Sequence, residues 1–171
     1  MSEQALDIRF REEQRFAQWW IWLLLLALSA FAWWGFYQQI ILGQPFGSNT
    51  GPDWVVWLTF LLLGIGMPAL FASIRLIVTV GGDQITINYR PFTTRCIGFE
   101  EIESHEARTY KPIKEYAGWG LKGWSVDRMS YSVSGRDGVE LTLRDGKRVM
   151  IGSLKAQQLA DAISAGMSES R

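Results

Sequence analysis

Residues 54–90 read WVVWLTFLLLGIGMPALFASIRLIVTVGGDQITINYR, and they contain the change of pattern that decides the fold. The segment 54–74 carries no charge and is long enough, as a helix, to cross a hydrocarbon core of about 30 Å. Arg75 ends this segment. Between positions 84 and 90 apolar and polar residues alternate, which is typical of a strand with one buried face. A membrane helix is therefore predicted to pass almost directly into a β domain.

A second uncharged run precedes this one. Residues 17–42 read AQWWIWLLLLALSAFAWWGFYQQIIL, and the connection 43–53 contains Pro and Gly but neither Lys nor Arg. Basic residues favour the cytoplasmic side of a membrane. They flank the two runs at Arg9, Arg11, Arg15 and Arg75. The sequence therefore predicts a hairpin in the inner or plasma membrane with both termini cytoplasmic and the connection outside.

Tryptophan is concentrated at the ends of the predicted spans, with seven of the nine Trp residues in the first 57 positions. Indole rings favour the headgroup level of a bilayer. The residues predicted at the membrane interface are Arg15, Trp19, Trp20, Trp33, Trp34, Trp54, Trp57 and Arg75. As an alternative, Ala30-Phe31-Ala32 resembles a signal-peptide cleavage site. The second span would still anchor the remaining chain in that case.

The predicted domain organisation follows from these runs. Residues 1–15 form a cytoplasmic flank, whose segment 9–16 is expected to begin a helix that continues into the first span. Residues 16–75 form the transmembrane hairpin, and residues 76–166 form a cytoplasmic β domain. The last five residues, 167–171, are expected to be disordered.

The β domain is predicted to contain about seven short strands and one helix. The strands are expected near 76–80, 84–90, 93–97, 102–109, 131–133, 139–144 and 147–151, and Asp145-Gly146 is a strong hairpin signal. After Ser153, a plausible N-cap, apolar residues recur at helical spacing. Sheets of this kind bury one face each, and a helix can close one open end.

Single residues limit the chemistry that the chain can perform. One histidine, His105, and one cysteine, Cys96, exclude multi-histidine and CxxC metal sites. His105 is interpreted as a surface histidine and Cys96 as a buried or half-buried small side chain. No nucleophile–base pair can be assigned, so we expect no enzymatic activity, no cofactor and no metal. The net charge of zero gives no argument for nucleic-acid binding.

Gly118, Gly120 and Gly123 spell the G-x-G-x-x-G of nucleotide-binding loops. A Rossmann fingerprint needs a strand before the glycines and a helix after them. The preceding segment contains Pro112 and several charges, and no helical stripe follows Gly123. The glycines are therefore interpreted as turn residues rather than as a phosphate cradle.

Four stretches resemble the bacterial pleckstrin-homology-like (PH-like) membrane proteins, in which a transmembrane hairpin precedes a PH-like sandwich. They read TVGGDQITINYRPF (79–92), IGFEEI (97–102), YKPIKEYAGWG (110–120) and SGRDGVELTLRDGKRVMIGS (134–153). The family loop usually has two adjacent glycines before its Trp, and Ala117 replaces the first here. The resemblance implies a seven-stranded sandwich with a capping helix at a membrane. It implies no reaction and no cofactor.

The segment 110–128 is the predicted contact loop because aromatic and basic residues are mixed in it. Such residue types anchor interfaces. Its candidate residues are Tyr110, Lys111, Lys114, Tyr116, Trp119, Lys122, Trp124 and Arg128. The favoured hypothesis is a non-catalytic module that binds another protein, or a second copy, at the membrane surface. The alternatives are recognition of anionic lipid headgroups or a small ligand by this loop, packing of the loop on the sandwich, and a pore assembled from several copies.

Overall fold

The computed structural model describes residues 8–47, 51–111, 115, 120–125 and 128–169, with the backbone alone for 121–125 and 128. The chain divides into two compact units. One is the segment from Ala17 to Ser73, and the other combines the described residues before and after it. The β unit is therefore built from two parts of the sequence that the hydrophobic segment separates.

The hydrophobic unit is a helical hairpin, as predicted. Helix α1 (Trp19–Ile41) and helix α2 (Asp53–Ser73) are long and apolar enough to cross a membrane. Both contain a π-helical turn, at Tyr37–Ile41 and at Phe60–Gly66. An aromatic cluster joins the two helices, with Phe36 stacked on Phe60 at a centroid distance of 4.2 Å. Trp33 and Trp57 meet Phe60 edge-on at 4.8 and 6.3 Å.

Pro68 explains the polar contact between the two helices. Proline has no N–H, so the carbonyl of Gly64, four residues earlier, loses its helical donor. The hydroxyl of Ser29 donates to that carbonyl at 2.9 Å, and the indole N–H of Trp33 donates at 3.3 Å. A backbone carbonyl without a donor is costly in hydrocarbon. These two side chains therefore replace the missing bond and join α1 to α2.

Replacing Ser29 by alanine is expected to weaken the hairpin by about 0.6 to 1.7 kcal/mol, the range for interhelical hydrogen bonds in membranes. Unfolding of the purified chain in mixed micelles by rising SDS would measure the change. Ser73→Ala is the matched control, because the Ser73 hydroxyl bonds Leu70 O within its own helix. If Ser29→Ala and Ser73→Ala unfolded at the same SDS concentration, the role given to Ser29 would be contradicted.

The β unit contains nine described strands in two sheets. Sheet A has the order β1-β2-β3-β4, and sheet B has the order β5-β8-β9-β7-β6. All described pairs are antiparallel except β7 with β9. The strands are β1 (Ile8–Arg15), β2 (Arg75–Gly81), β3 (Gln84–Arg90), β4 (Thr93–Gly98), β5 (Ile102–Thr109), β6 (Gly120–Ser125), β7 (Arg128–Ser132), β8 (Asp137–Leu143) and β9 (Arg148–Gly152).

The core lies between the inner faces of the two sheets. Sheet A contributes alternate residues of β2 and β3, and sheet B contributes alternate residues of β8 together with β9, which is buried from Val149 to Gly152. The fully buried aliphatic residues include Leu76, Val78, Val80, Ile85, Ile87, Val139, Leu141 and Ile151. The predicted C-terminal helix, α3 (Ala156–Glu169), is confirmed and buries Leu159 and Ile163. It contacts strands of both sheets.

Strand β1 corrects two predictions. Residues 9–16 were expected to begin a helix and residues 1–15 to lie outside the domain, yet Ile8–Arg15 is a strand that pairs with β2. Its inward residues are Phe10, Glu12 and Gln14. Because two of these three are polar, the sequence shows no apolar alternation there. The two-sheet unit consequently has nine described strands rather than seven, and β6 is the second addition.

The end of α3 also differs from the prediction. Residues 167–171 were expected to form a disordered tail, but the helix continues to Glu169. The carboxylate of Glu169 pairs with the guanidinium of Arg9 on β1. At Gly166 an added Cβ would lie 2.3 Å from the Phe99 ring, so the absence of a side chain allows close packing there. These contacts fix the last helical turn; residues 170–171 lie outside the described residues.

Candidate functional site

Part of the predicted contact loop, 110–128, falls outside the described residues. The candidates outside the described residues are Lys114, Tyr116 and Trp119. The backbone alone places Lys122, Trp124 and Arg128, in strands β6 and β7. Lys111 is exposed. The assignment of Tyr110 to a contact surface is wrong, because its side chain is only 1% exposed and packs with Met150. Its aromatic ring is part of the folded core.

The glycine motif lies in a different setting from a nucleotide-binding turn. Gly120 opens strand β6 with φ of +126°, and Gly123 lies within the same strand. The following element is strand β7, which pairs with β6. A dinucleotide site requires a helix N-terminus at this position. The positive φ of Gly120 gives a local reason for glycine that involves no ligand.

The single histidine and the single cysteine of the chain both lie on strands, His105 on β5 and Cys96 on β4. The Nε2 atom of His105 lies 2.8 Å from the Ser164 hydroxyl, so this histidine links β5 to α3. Cys96 was predicted to be buried or half-buried, and it is exposed. In β4 the residue that faces the core is Ile97, so its neighbour Cys96 points outward beside Thr86. Among the described residues no cluster of His, Cys, Asp or Glu could hold a metal ion.

An ion-pair network covers part of sheet B. Arg108 pairs with Glu140 and, at 3.0 Å, with Glu115. Arg148 approaches Glu140 at 3.8 Å. Burial acts to lower the pKa of Arg108, but the hydrogen bond that Arg108 donates to Glu115 and the charge of Glu140 outweigh it, so the pKa lies above its ordinary value. Because each charge in this network has a partner of opposite sign, the network offers no side chain for catalysis or for binding an anion.

Strand β1 is tied to the start of α3 by buried polar groups. The carboxylate of Glu12 accepts from the Ser153 hydroxyl and, at 2.9 Å, from the backbone N–H of Leu154. The side-chain amide of Gln14 donates to Gly152 O at 2.8 Å. The predicted cap, Ser153, accepts from the Lys155 N–H at 3.0 Å. Sheet A is thus bonded to the junction of β9 and α3 by the first strand of the chain.

A row of three arginines marks one end of sheet A. The register places Arg15 opposite Arg75, and Arg75 opposite Arg90. Residues opposite each other in antiparallel strands point to the same face, here the face turned away from the core. Glu13 pairs with Arg15 at 3.4 Å and with Arg75 at 3.3 Å. We call Arg15, Arg75 and Arg90 the arginine row.

The turn beside Arg90 forms an open cleft. The cleft has a volume of about 340 Å³ and is lined by the residues from Asn88 to Thr94. Asn88 and Thr94 are opposite each other in the β3–β4 register. Phe92 is 56% exposed at the tip of the turn, with its ring 5.9 Å from that of Tyr89. Burial raises the pKa of the Tyr89 phenol.

Only part of this surface was predicted from the sequence. Arg15 and Arg75 were assigned to the membrane interface, whereas Arg90 and Asn88 were not considered. The signal that could have found Arg90 is the tight turn at Gly82-Asp83. Pairing Gly81 with Gln84 and counting back along both strands brings Arg75 opposite Arg90.

The tryptophans assigned to the membrane interface are all exposed: Trp19, Trp20, Trp33, Trp34, Trp54 and Trp57. Two of them have a further role, since Trp33 and Trp57 also pack on Phe60. The other large apolar residues exposed on α1 and α2 are mostly leucines. Such a surface is suited to lipid rather than to water.

Comparison with known proteins identifies the family of this chain. No curated protein and no solved structure matches the sequence. A family model described as "Family of unknown function (DUF6141)" matches residues 1–169, which include both the hydrophobic hairpin and the β unit. The chain therefore belongs to this family of unknown function, DUF6141.

Proposed function

We propose that this chain is an integral membrane protein that displays its β unit as a non-catalytic binding or assembly module on the cytoplasmic face. The observation that carries the proposal is the pairing of β1 with β2. These two strands flank the hydrophobic hairpin in the sequence, so both ends of the hairpin continue into one sheet. A module attached in this way is held at the membrane surface.

The connections at both ends of the hairpin are short. Three residues separate Arg15 from Trp19, and Ile74 alone separates Ser73 from Arg75. With no flexible linker, the module has little freedom to move away from the membrane. This supports a role at the membrane surface.

Charge supports the orientation. Arg11, Arg15, Arg75 and Arg90 lie on the outward face of sheet A, while the connection 43–53 between the two helices has neither Lys nor Arg. The positive-inside rule places the arginines in the cytoplasm. The β unit and both termini would then share that side.

Structural roles for the titratable residues favour binding over catalysis. His105 is engaged by Ser164, Glu12 by the start of α3, and Glu140 by two arginines. A general acid or base needs to reach a substrate as well as its own partner. A binding surface needs only exposed groups, and the arginine row and strand β4 at the edge of sheet A provide them. An edge strand of this kind can accept a partner strand.

The relation to the PH-like membrane proteins remains part of this proposal. Two packed sheets and a C-terminal helix that contacts both support it. Strand β1, which precedes the hairpin, and the total of nine described strands depart from the seven-stranded pattern. The module would then be a PH-like sandwich into which a membrane hairpin is inserted after the first strand.

The native Cys96 allows one experiment to test both orientation and binding. It is exposed and is the single cysteine of the chain. An impermeant maleimide carrying a benzophenone should label Cys96 in inverted membrane vesicles but not in intact spheroplasts. Illumination should then give a discrete cross-linked product, with twice the mass of the chain if the partner is a second copy.

Gln44→Cys combined with Cys96→Ser is the control, because position 44 lies in the connection between the helices. That variant should label in intact spheroplasts instead. Labelling of native Cys96 in intact spheroplasts would contradict the orientation. If illumination gives only the diffuse background seen with Cys96→Ser, the binding role is contradicted.

A further inference from the structure

We propose that the arginine row binds the headgroup of an anionic phospholipid, with the cleft beside Arg90 receiving the phosphate. The inference rests on the proposed membrane location and goes further by naming the ligand and its site. It also moves lipid recognition away from the predicted loop at 110–128. The new site lies instead on three strands of sheet A and on the turn between β3 and β4.

The register brings three positive charges together. Arg15, Arg75 and Arg90 are consecutive in one cross-strand row, where neighbouring Cβ atoms are about 5 Å apart. Like charges opposite each other destabilise a sheet. The carboxylate of Glu13 offsets part of this repulsion by pairing with Arg15 and Arg75. One carboxylate against three guanidinium groups leaves the row positive.

Arg90 is the member of the row that is left for an external anion. It is exposed, and no ion pair to it occurs among the described residues. Arginine presents several N–H donors in a plane that matches the oxygens of a phosphate. An anion beside Arg90 would supply the negative charge that the neighbouring strands do not provide.

The cleft adds neutral hydrogen-bonding groups and an apolar anchor. Asn88 and Thr94 line it next to Arg90, and both can donate to a phosphate oxygen. Phe92 stands exposed at the tip of the same turn. Aromatic side chains beside basic residues suit the boundary between headgroups and acyl chains. Charge, donors and an exposed ring therefore lie within one turn of the chain.

Chain length indicates that the ligand is a membrane lipid. Arg75 is two residues after the end of α2 at Ser73, and Arg15 is four residues before the start of α1 at Trp19. A fully extended chain spans at most about 3.5 Å per residue, so the two arginines lie within about 7 and 14 Å of the hydrophobic helices. At that distance from a bilayer surface, phospholipid headgroups are the most abundant anions.

The test uses the full chain in a mild non-ionic detergent, with phosphatidylglycerol and phosphatidylcholine as probes. Native mass spectrometry counts the retained lipids, and thermal unfolding reports stabilisation by each lipid. The wild-type chain should retain phosphatidylglycerol preferentially and show a raised Tm with it. Arg90→Gln should weaken this binding about fivefold, the effect of one basic residue near an anionic surface. Arg75→Gln combined with Arg90→Gln should weaken it more than tenfold.

Arg144→Gln is the matched control, since Arg144 is an exposed arginine in the β8–β9 hairpin of the other sheet. It should bind phosphatidylglycerol within twofold of the wild type. Equal retention of the two lipids by the wild type, or equal losses in Arg90→Gln and Arg144→Gln, would overturn the proposal. Loss of binding in Arg90→Gln alongside labelling of Cys96 in intact spheroplasts would support the site and contradict only the orientation.

Discussion

Replacing Glu12 by alanine is expected to lower the free energy of unfolding of the β unit by about 3 kcal/mol. The Glu12 side chain is 8% exposed and accepts hydrogen bonds from the Ser153 hydroxyl and the Leu154 N–H. Hydrogen bonds to a charged group contribute about 1.5 to 3 kcal/mol each, and their loss leaves buried donors unsatisfied. Urea titration of the full chain in detergent, followed by circular dichroism of the β signal, would measure the change.

Two variants separate this contact from a general effect of charge. Glu12→Gln keeps the length and one acceptor, so it should lose about half as much stability as Glu12→Ala. Glu13→Ala removes an identical charge from the adjacent outward position, where exposed ion pairs contribute at most about 1 kcal/mol. Similar urea midpoints for Glu12→Ala and Glu13→Ala would refute the bonds between β1 and the β9–α3 junction as a major source of stability.

Replacing Gly138 by alanine is the second substitution with a large expected effect. An added Cβ would lie 2.4 Å from the backbone oxygen of Ile151 and 3.2 Å from the Cα of Gly152. Both atoms belong to β9, which pairs with β8 at this point. A backbone cannot rotate away as a side chain can, so the two strands must separate. Overpacking of this kind costs about 1 to 3 kcal/mol or more, and we expect the upper end.

The same urea titration would measure the effect of Gly138→Ala. Gly51→Ala is the control, because nothing lies within 4 Å of a Cβ at that position. It should change stability by less than about 1 kcal/mol. If Gly138→Ala unfolds at the urea concentration of the wild type, the close approach of β8 and β9 is not the constraint described here.

The parts of the fold that were predictable are those with a local pattern. The uncharged runs identified both hydrophobic helices, and apolar alternation identified β3 and β8. The spacing of Leu159 and Ile163 identified α3. In each case the buried face consists of apolar residues at the period of its element. Such patterns need no information from distant parts of the chain.

Strand β1 was not predictable in this way, because its inward positions are filled by polar groups whose partners lie more than 130 residues later. Glu12 and Gln14 resemble a solvated charged flank until Ser153 and Gly152 are brought beside them. The same reason applies to Arg15 in the arginine row, since its pairing with Arg75 spans the whole hydrophobic hairpin. Residues that act together through sheet register leave no signature in a short window of sequence.

The position of the hairpin between β1 and β2 has a consequence for the order in which the protein is completed. Strand β1 is synthesised first, but its partner strand follows the whole of α2. Sheet A can therefore close only after both hydrophobic helices have been made and have left the ribosome. The buried polar groups of β1, Glu12 and Gln14, gain their partners at residues 152–154 later still, once β9 has been made. Completion of sheet A would thus depend on both hydrophobic helices having been made. This dependence would couple maturation of the β unit to insertion of the hairpin.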